Sequence, residues 1–148
     1  IPPIPLSLKD AGIYHAISRD SQNNYVVAEE KVGILGRYLS FKQKVHWIVG
    51  EPLYAYSAIF SPGSLNTQII HEWQHKDESG KWVTDTRIPL YLSGGRPEGF
   101  RTYSTKYVLE PGVWRVNVET LRGQLIGRIN FEIIPTITSP TLRSEVKS

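Results

Sequence analysis

The clearest pattern of hydrophobic and polar positions lies in the segment GVWRVNVETLRGQLIGRINFEI, residues 112–133. On both sides of Arg122-Gly123, apolar residues alternate with polar ones, and only Ile126 breaks the polar series. Because successive side chains of a strand point to opposite faces, this alternation predicts two strands that each bury one face. We predict a two-residue hairpin loop at Arg122-Gly123, since glycine tolerates the positive φ of a tight turn. The apolar pairs that follow are Trp114 with Phe131, Val116 with Ile129, and Val118 with Gly127.

The rest of the chain repeats short segments rich in valine, isoleucine, threonine, tyrosine and tryptophan, separated by turn-forming residues. A spacing of ~8–12 residues between turns is typical of a sandwich or barrel. We therefore predict an all-β fold, an immunoglobulin-like antiparallel β-sandwich of about seven to nine strands. We assign residues 25–134 to the sandwich, the proline-rich residues 1–24 to an extended lead-in or linker, and the polar residues 135–148 to a flexible C-terminal tail.

The segment HEWQH, residues 71–75, has the H-E-x-x-H spacing of zinc proteases. In those enzymes the motif lies on a helix, where one turn brings both imidazoles to a single metal ion. Here the flanking residues favour a strand, and His71, Trp73 and His75 share one face of an alternating pattern. On a strand the two histidines lie ~13 Å apart, too far for two bonds of ~2 Å to one zinc ion. We predict a strand with His71 half-buried and His75 near the exposed end; a zinc-dependent hydrolase built on His71, Glu72 and His75 is the alternative if the segment is helical.

Composition and charge bear on the number of domains, the kinds of functional site and the kinds of partner. The length of 148 residues is typical of one domain, and the lack of cysteine excludes disulfides, thiolate metal ligands and cysteine nucleophiles. The net charge of +3 is spread along the chain without a basic run, so we do not expect a nucleic-acid partner. No apolar run approaches the ~20 residues of a membrane helix. Because the chain begins at Ile1 and has no methionine, we expect a processed product or a fragment, with any membrane segment or export signal upstream.

Apart from the H-E-x-x-H spacing, the sequence lacks the common motifs for catalysis or cofactor binding. The serines lack a G-x-S-x-G elbow, and neither a P-loop nor a G-x-G-x-x-G sequence occurs. Asp77, Glu78 and Asp85 are close enough in sequence to crowd a calcium ion, but they lack the D-x-D-x-D-G spacing, which favours a solvated turn. We predict no catalytic residue, no metal site and no cofactor.

Several motifs follow one another in a fixed order. His71 and Trp73 precede a glycine turn and Trp82, and then come FRTYSTK (residues 100–106), P-G-x-W-R-V (111–116) and I-G-x-I-x-F (126–131). This order resembles the bacterial domain-of-unknown-function family numbered 2914, over roughly residues 53–134. The lead-in PPIPLSLKDAGIYHAI also resembles the segment that follows transmembrane helices in some members. The resemblance implies a soluble domain tethered to an integral-membrane portion, in the periplasm or on the membrane surface, and implies no reaction.

A cationic and aromatic group of residues is the candidate interaction surface. Its members are Arg96, Arg101, Tyr103, Lys106 and Trp82. On a regular strand Arg101 and Tyr103 share one face while Lys106 lies on the other. The alternative is an ordinary strand whose tyrosine packs and whose arginine is solvated or paired.

We predict a non-catalytic accessory or interaction domain of a membrane-associated bacterial protein, docking on a protein partner within a membrane assembly. An anionic lipid is an alternative ligand for the cationic residues. A carbohydrate-binding module, with Trp82 or Trp47 stacking on a sugar, is the alternative function.

Overall fold

The computed structural model describes residues 6–22, 24–30, 42–61, 67–92 and 100–147, and these residues form eleven strands and no helix. In chain order the strands are Ser7–Tyr14 (β1), Ala16–Arg19 (β2), Tyr25–Glu30 (β3), Gln43–Ile48 (β4), Leu53–Phe60 (β5), Thr67–Lys76 (β6), Trp82–Leu92 (β7), Phe100–Lys106 (β8), Gly112–Thr120 (β9), Leu125–Thr136 (β10) and Leu142–Lys147 (β11). The predicted all-β, immunoglobulin-like sandwich is confirmed, with slightly more strands than expected.

The strands form three sheets. The five-stranded sheet has the order β4-β10-β9-β6-β7, the central sheet the order β1-β5-β8, and the outer sheet the order β11-β3-β2. Among the described strands, β4 pairs parallel with β10 and every other pair is antiparallel. The sandwich is therefore mixed at one edge, where β4 joins β10.

The central sheet lies between the other two sheets. Along β5, Leu53, Ala55 and Ile59 face the five-stranded sheet and join the main core. Tyr56 and Ala58 point the other way and pack against the outer sheet. Because side chains alternate along a strand, β5 is apolar on both faces, as expected of a strand that is covered on both sides.

Both end segments of the chain take part in this architecture. β1 pairs with β5 and buries Ile13 and Tyr14, whereas β11 pairs with β3. The predicted lead-in over 1–24 and tail over 135–148 must be corrected accordingly, because the sandwich extends beyond 25–134 in both directions. The segment of β11 was missed because its six residues include none that is buried, so no hydrophobic pattern marks it and the strand depends on the edge of β3.

The hairpin of β9 and β10 has the register predicted for residues 112–133. The Cα partners include Trp114 with Phe131, Val116 with Ile129 and Val118 with Gly127. The predicted two-residue loop is wrong, because Thr120 N–H donates to the carbonyl of Gln124 at 2.8 Å and leaves three residues between them. A two-residue turn of the common type needs positive φ at both positions, which disfavours arginine. The longer loop needs it only at Gly123, whose φ is 89°.

Gly127 on β10 is where β1 crosses the five-stranded sheet. A Cβ atom added there would overlap Leu8 Cδ2 and lie 3.0 Å from Leu8 Cβ. We expect Gly127→Ala to lower the free energy of unfolding by ~1–3 kcal/mol, because overpacking forces the neighbouring strand to shift. Urea unfolding measures the loss. In a Leu8→Ala background the overlap with the end of the leucine side chain is removed and only the 3.0 Å approach to Cβ remains, so an undiminished loss there would contradict this explanation.

Candidate functional site

The H-E-x-x-H segment lies on a strand. β6 runs from Thr67 to Lys76 without interruption and pairs with β7 on one side and β9 on the other. The prediction of a strand is confirmed, and it separates the two imidazoles by ~13 Å along the backbone. They also have different surroundings, since His71 is fully buried and His75 only partly. The prediction that His71 is half-buried was wrong, because its side chain points at the central sheet.

His71 joins two serines across the main core. Its Nε2 lies 2.9 Å from Ser57 Oγ on β5, and its Nδ1 lies 2.7 Å from Ser104 Oγ on β8. Trp73 Nε1 donates to the same Ser104 oxygen at 3.1 Å. Burial lowers the pKa of His71 from 6.5 to about 3, so the imidazole is neutral and can donate from one nitrogen and accept at the other.

We call His71, Ser57, Ser104 and Trp73 the buried histidine network. Its polar groups form hydrogen bonds with one another and are not accessible to a substrate. Ser57 and His71 are 0% exposed and Ser104 is 3% exposed, so a substrate has no access to either hydroxyl. Buried polar atoms are costly unless they are hydrogen-bonded, and here each side chain has at least one partner. Sequence reasoning missed this network because the serines lie 14 and 33 residues from His71.

His75 contacts a separate cluster of acidic and basic side chains at the edge of the core. Its Nε2 lies 3.1 Å from Glu110 Oε1, and its Nδ1 lies 3.8 Å from Asp85 Oδ1. Asp85 is the extra residue of the β7 bulge opposite Trp73 and forms an ion pair with Lys106 Nζ. Lys106 was predicted to belong to the interaction surface, but its side chain faces the core and is 7% exposed. A buried lysine needs a charged partner, which the bulge supplies.

Within the described ranges, no group of three or more His, Asp or Glu side chains is arranged so that it could hold a metal ion. Asp77, considered for calcium, accepts hydrogen bonds through Oδ1 from the backbone N–H groups of Ser79 and Lys81, both at 2.9 Å. Its carboxylate closes the β6–β7 turn, as the solvated-turn interpretation expects.

Arg101 and Tyr103 share the outward face of the central sheet, as predicted, and meet three residues that sequence reasoning did not select. We call this group, Arg19, Tyr25, Tyr54, Arg101 and Tyr103, the tyrosine–arginine patch. The ring centroid of Tyr103 lies 5.9 Å from that of Tyr25 and 6.1 Å from that of Tyr54. The alternation in LYAYSAIF placed Tyr54 on one face of a strand, but nothing local showed that β3 would bring Tyr25 there.

The two arginines of the patch are fixed against an aromatic ring. The guanidinium carbons of Arg19 and Arg101 lie 4.5 Å and 5.2 Å from the centroid of Tyr25. Arg19 also donates to the Tyr25 hydroxyl at 2.5 Å, and Arg101 Nη1 donates to the Lys147 carbonyl at 2.8 Å. Tyr103 is 37% exposed at this site. The patch therefore presents the exposed residues Tyr103 and Arg19 to solvent in fixed orientations around the buried ring of Tyr25.

The remaining predicted surface residues lie elsewhere. Trp82 is on the outer face of the five-stranded sheet, where Arg115 Cζ lies 4.1 Å and Lys76 Nζ 5.3 Å from its ring centroid. A ring already covered by cations is a poor platform for stacking a sugar. Arg96 lies outside the described residues.

The described part of the chain contains no helix with the length and hydropathy needed to cross a bilayer.

Comparison with protein families supports the resemblance found in the sequence. Residues 66–133, slightly less than half of the chain, match the family model described as "Protein of unknown function (DUF2914)". The matched segment contains β6, β7, β8, β9 and most of β10. No curated protein sequence matches the chain.

Several solved structures are similar in fold at low sequence identity. An immunoglobulin-like protein from Pseudomonas aeruginosa is 11% identical with a TM-score of 0.42, over 87% of this chain and 96% of that one. A beta-glucosidase from Listeria innocua in complex with gluconolactone is 15% identical with a TM-score of 0.39, over 74% of this chain and 16% of the enzyme. The alkylpurine DNA glycosylase AlkC from Pseudomonas fluorescens is 11% identical with a TM-score of 0.41, over 88% of this chain and 30% of the enzyme.

Proposed function

We propose that this chain is a non-catalytic interaction domain of a membrane-associated bacterial protein, and that it docks on a protein partner within a membrane assembly through the tyrosine–arginine patch. The observation that carries the proposal is the contact of Tyr103 with Tyr25 and Tyr54, beside two guanidinium groups, at the junction of the central and outer sheets. Tyrosine and arginine are enriched among the residues that dominate protein–protein binding energy. Rings that are already held by neighbours lose little conformational freedom when a partner binds.

The patch is extended by further exposed apolar residues. Tyr107 is 68% exposed and Val108 is 77% exposed, just after β8. Burial raises the pKa of the Tyr54 hydroxyl, and the neighbouring Tyr107 and Tyr103 raise it further, so this hydroxyl is neutral at physiological pH. A partner that covers this margin of the central sheet gains apolar contact and several neutral hydrogen-bonding groups.

The non-catalytic part of the proposal rests on the buried histidine network. Ser57 beside His71 is the arrangement that most resembles a nucleophile and its base, but both groups are enclosed between the two sheets. A nucleophile must reach the reacting atom of its substrate. We therefore assign these residues to the stability of the core.

Membrane association rests on the family resemblance, which implies tethering to an integral-membrane portion. The net charge of +3 is compatible with a location at an anionic bilayer, where each well-placed basic residue contributes ~1 kcal/mol. A protein partner is favoured over the lipid itself because Arg19 and Arg101 are engaged by Tyr25 and do not project as isolated cations.

We expect Tyr103→Ala to weaken binding of the partner ~10- to 100-fold, as loss of a central aromatic residue does in other interfaces. The immobilised domain would be used to capture proteins from membranes of the organism that encodes it, and each captured protein would then be purified and titrated against the variants. Tyr91→Ala is the matched control, because Tyr91 is 64% exposed on β7 of the five-stranded sheet.

The outcome separates the proposed partner from its alternatives. A purified membrane protein that binds the wild type and Tyr91→Ala equally, and Tyr103→Ala more weakly, supports the proposal. Equal binding to all three would place the interface elsewhere. Saturable binding to anionic vesicles alone would replace the protein with a lipid, and a tryptophan fluorescence shift with a glycan panel would favour the carbohydrate-binding module.

A further inference from the structure

β11 is attached to the outer sheet with little apolar burial. None of its six side chains is buried, and Leu142 and Val146 are 41% and 55% exposed. Its contacts include the backbone pairing with β3, from Leu142 opposite Glu30 to Lys147 opposite Tyr25, and a set of charged groups. Lys147 also lies over the ring of Tyr14, with Nζ 5.7 Å from the ring centroid. A strand held in this way can separate without exposing a large apolar surface.

The charged contacts of β11 lie toward its two ends. Arg143 Nε and Nη2 each lie 2.8 Å from Glu29 Oε1, and Lys147 Nζ lies 3.0 Å from Asp10 Oδ2. Burial lowers the pKa of the Lys147 ammonium, but interactions with Asp10 and with the Tyr14 hydroxyl outweigh burial and raise it overall. The surface that holds β11 therefore carries two acidic groups, Glu29 and Asp10. They pair with two cations of β11 that lie four residues apart, Arg143 and Lys147. Such pairs weaken at high salt where they are solvated.

β3 is anchored by contacts that do not involve β11. Tyr25 and Val27 are buried against the central sheet, and β2 pairs with the opposite edge of β3. The connection from β10 to β11 lies on the surface, where Ile137 is 99% exposed. Departure of β11 would thus leave a row of unpaired backbone groups on a strand that is otherwise anchored.

A cleft of about 270 Å³ remains between β11 and the central sheet. Tyr56 and Ala58 of β5 line it, together with Lys9, Asp10 and the last residues of β11, Glu145, Val146 and Lys147. The cleft is open to solvent on one side, and Tyr56 and Ala58 form the apolar part of its lining on the central sheet, so β11 leaves space beside these two residues. A larger apolar side chain at the position of Glu145, midway between the two cations, would fill it better.

We infer that the edge of β3 under β11 is an acceptor site for an extended segment of the protein partner, which replaces β11 by strand addition. The matching segment has two cationic residues four positions apart, as Arg143 and Lys147 are, and a bulky apolar residue midway. This inference rests on the proposed function and names the kind of partner. The site is continuous with the tyrosine–arginine patch, because Arg101 donates to the carbonyl of Lys147 at the end of β11.

A peptide titration tests the acceptor site without the natural partner. The probe is fluorescein-labelled Thr-Leu-Arg-Ser-Leu-Val-Lys, which is the sequence of residues 141–147 with leucine at the position of Glu145. The receptor is the full chain with Arg143→Glu and Lys147→Glu, whose own β11 is repelled by Glu29 and Asp10. We expect this variant to bind the probe at least ~10-fold more tightly than the wild type, where the tethered β11 competes at high effective concentration. The affinity of the probe should fall several-fold between roughly 50 and roughly 500 mM salt, because salt screens solvated charge pairs.

Four controls make the result specific. A probe with glutamate at both cationic positions should not bind, the probe with the original glutamate should bind more weakly than the leucine probe, and Glu29→Arg in the receptor should weaken binding ~10-fold, as a reversed charge pair does. Tyr91→Ala in the receptor should change nothing.

The inference is overturned by any of three results: no binding of the leucine probe to the receptor variant, loss of its cooperative unfolding transition, or its dimerisation. The second result would mean that β11 is required for folding, and the third that another copy of the chain fills the site. Because the titration uses no natural partner, it can fail while Tyr103-dependent capture succeeds, or succeed while capture fails.

Discussion

Replacement of His71 with alanine is expected to lower the free energy of unfolding by about 3–5 kcal/mol, the range for large-to-small changes in a packed core. The imidazole is 0% exposed and has hydrogen bonds to Ser57 Oγ and Ser104 Oγ. Its removal leaves a cavity between two sheets and two hydroxyls that lose a partner in a dry environment. An unsatisfied buried polar group costs ~1–3 kcal/mol, which adds to the cavity term.

The other histidine of the same motif is the matched control. His75 is partly exposed, and its nearest carboxylate partner, Glu110, has a side chain that is 61% exposed. We expect His75→Ala to cost only about 1 kcal/mol, since solvated ion pairs contribute little and the remaining loss is packing against Trp114. Chemical unfolding of both variants measures the difference. Equal losses would show that the buried histidine network is not the main contribution of this motif.

Acidification from pH 7 to pH 5 is expected to lower the free energy of unfolding by on the order of 2 kcal/mol through His71 alone. In the unfolded chain the histidine has a pKa near 6.5, whereas burial lowers the pKa in the folded chain to about 3. Well above pH 6.5 the imidazole is neutral in both the folded and the unfolded chain, so His71 contributes no pH dependence to the stability there. Between pH 6.5 and pH 3 the unfolded state binds a proton that the folded state excludes, so stability falls as pH falls, by ~1.4 kcal/mol per unit.

The variant His71→Gln isolates this contribution. Glutamine retains a donor and an acceptor but does not titrate in this range. Other groups titrate in both proteins, so the quantity to measure is the difference in unfolding free energy between wild type and variant at pH 7, 6, 5 and 4. We expect this difference to shrink as pH falls. A difference that stays constant would show that His71 has the same pKa in the folded and unfolded states, as it would in a solvated site.

The buried histidine network also explains how the proposed interaction surface is held. Ser57 on β5 and Ser104 on β8 lie on the inward face of the central sheet, directly beside residues whose side chains point outward. The neighbours are Tyr56, which contacts Tyr25, and Tyr103, which contacts Tyr25 and Tyr54. Hydrogen bonds on the inner face thus fix the strands whose outer face carries the tyrosine–arginine patch. A rigid scaffold of this kind reduces the entropy lost on binding.

The sequence by itself determined the strands that bury one regular apolar face, and which face that is. The alternation in residues 112–133 predicted the register of Trp114, Val116 and Val118 correctly, and the same rule made HEWQH a strand and placed Arg101 and Tyr103 on one face. These features follow from the period of two in an extended chain, which acts between near neighbours and needs no information about distant residues.

Only the tertiary structure decided which partners the polar side chains meet. His71 bonds to serines 14 and 33 residues away, Lys106 turns from a predicted surface residue into the buried partner of Asp85, and Arg143 pairs with Glu29 across 114 residues. β11 likewise exists because the edge of β3 is there to pair with it. Local periodicity specifies a face but not the sheet that covers it, because that depends on how three sheets stack and which edges remain open.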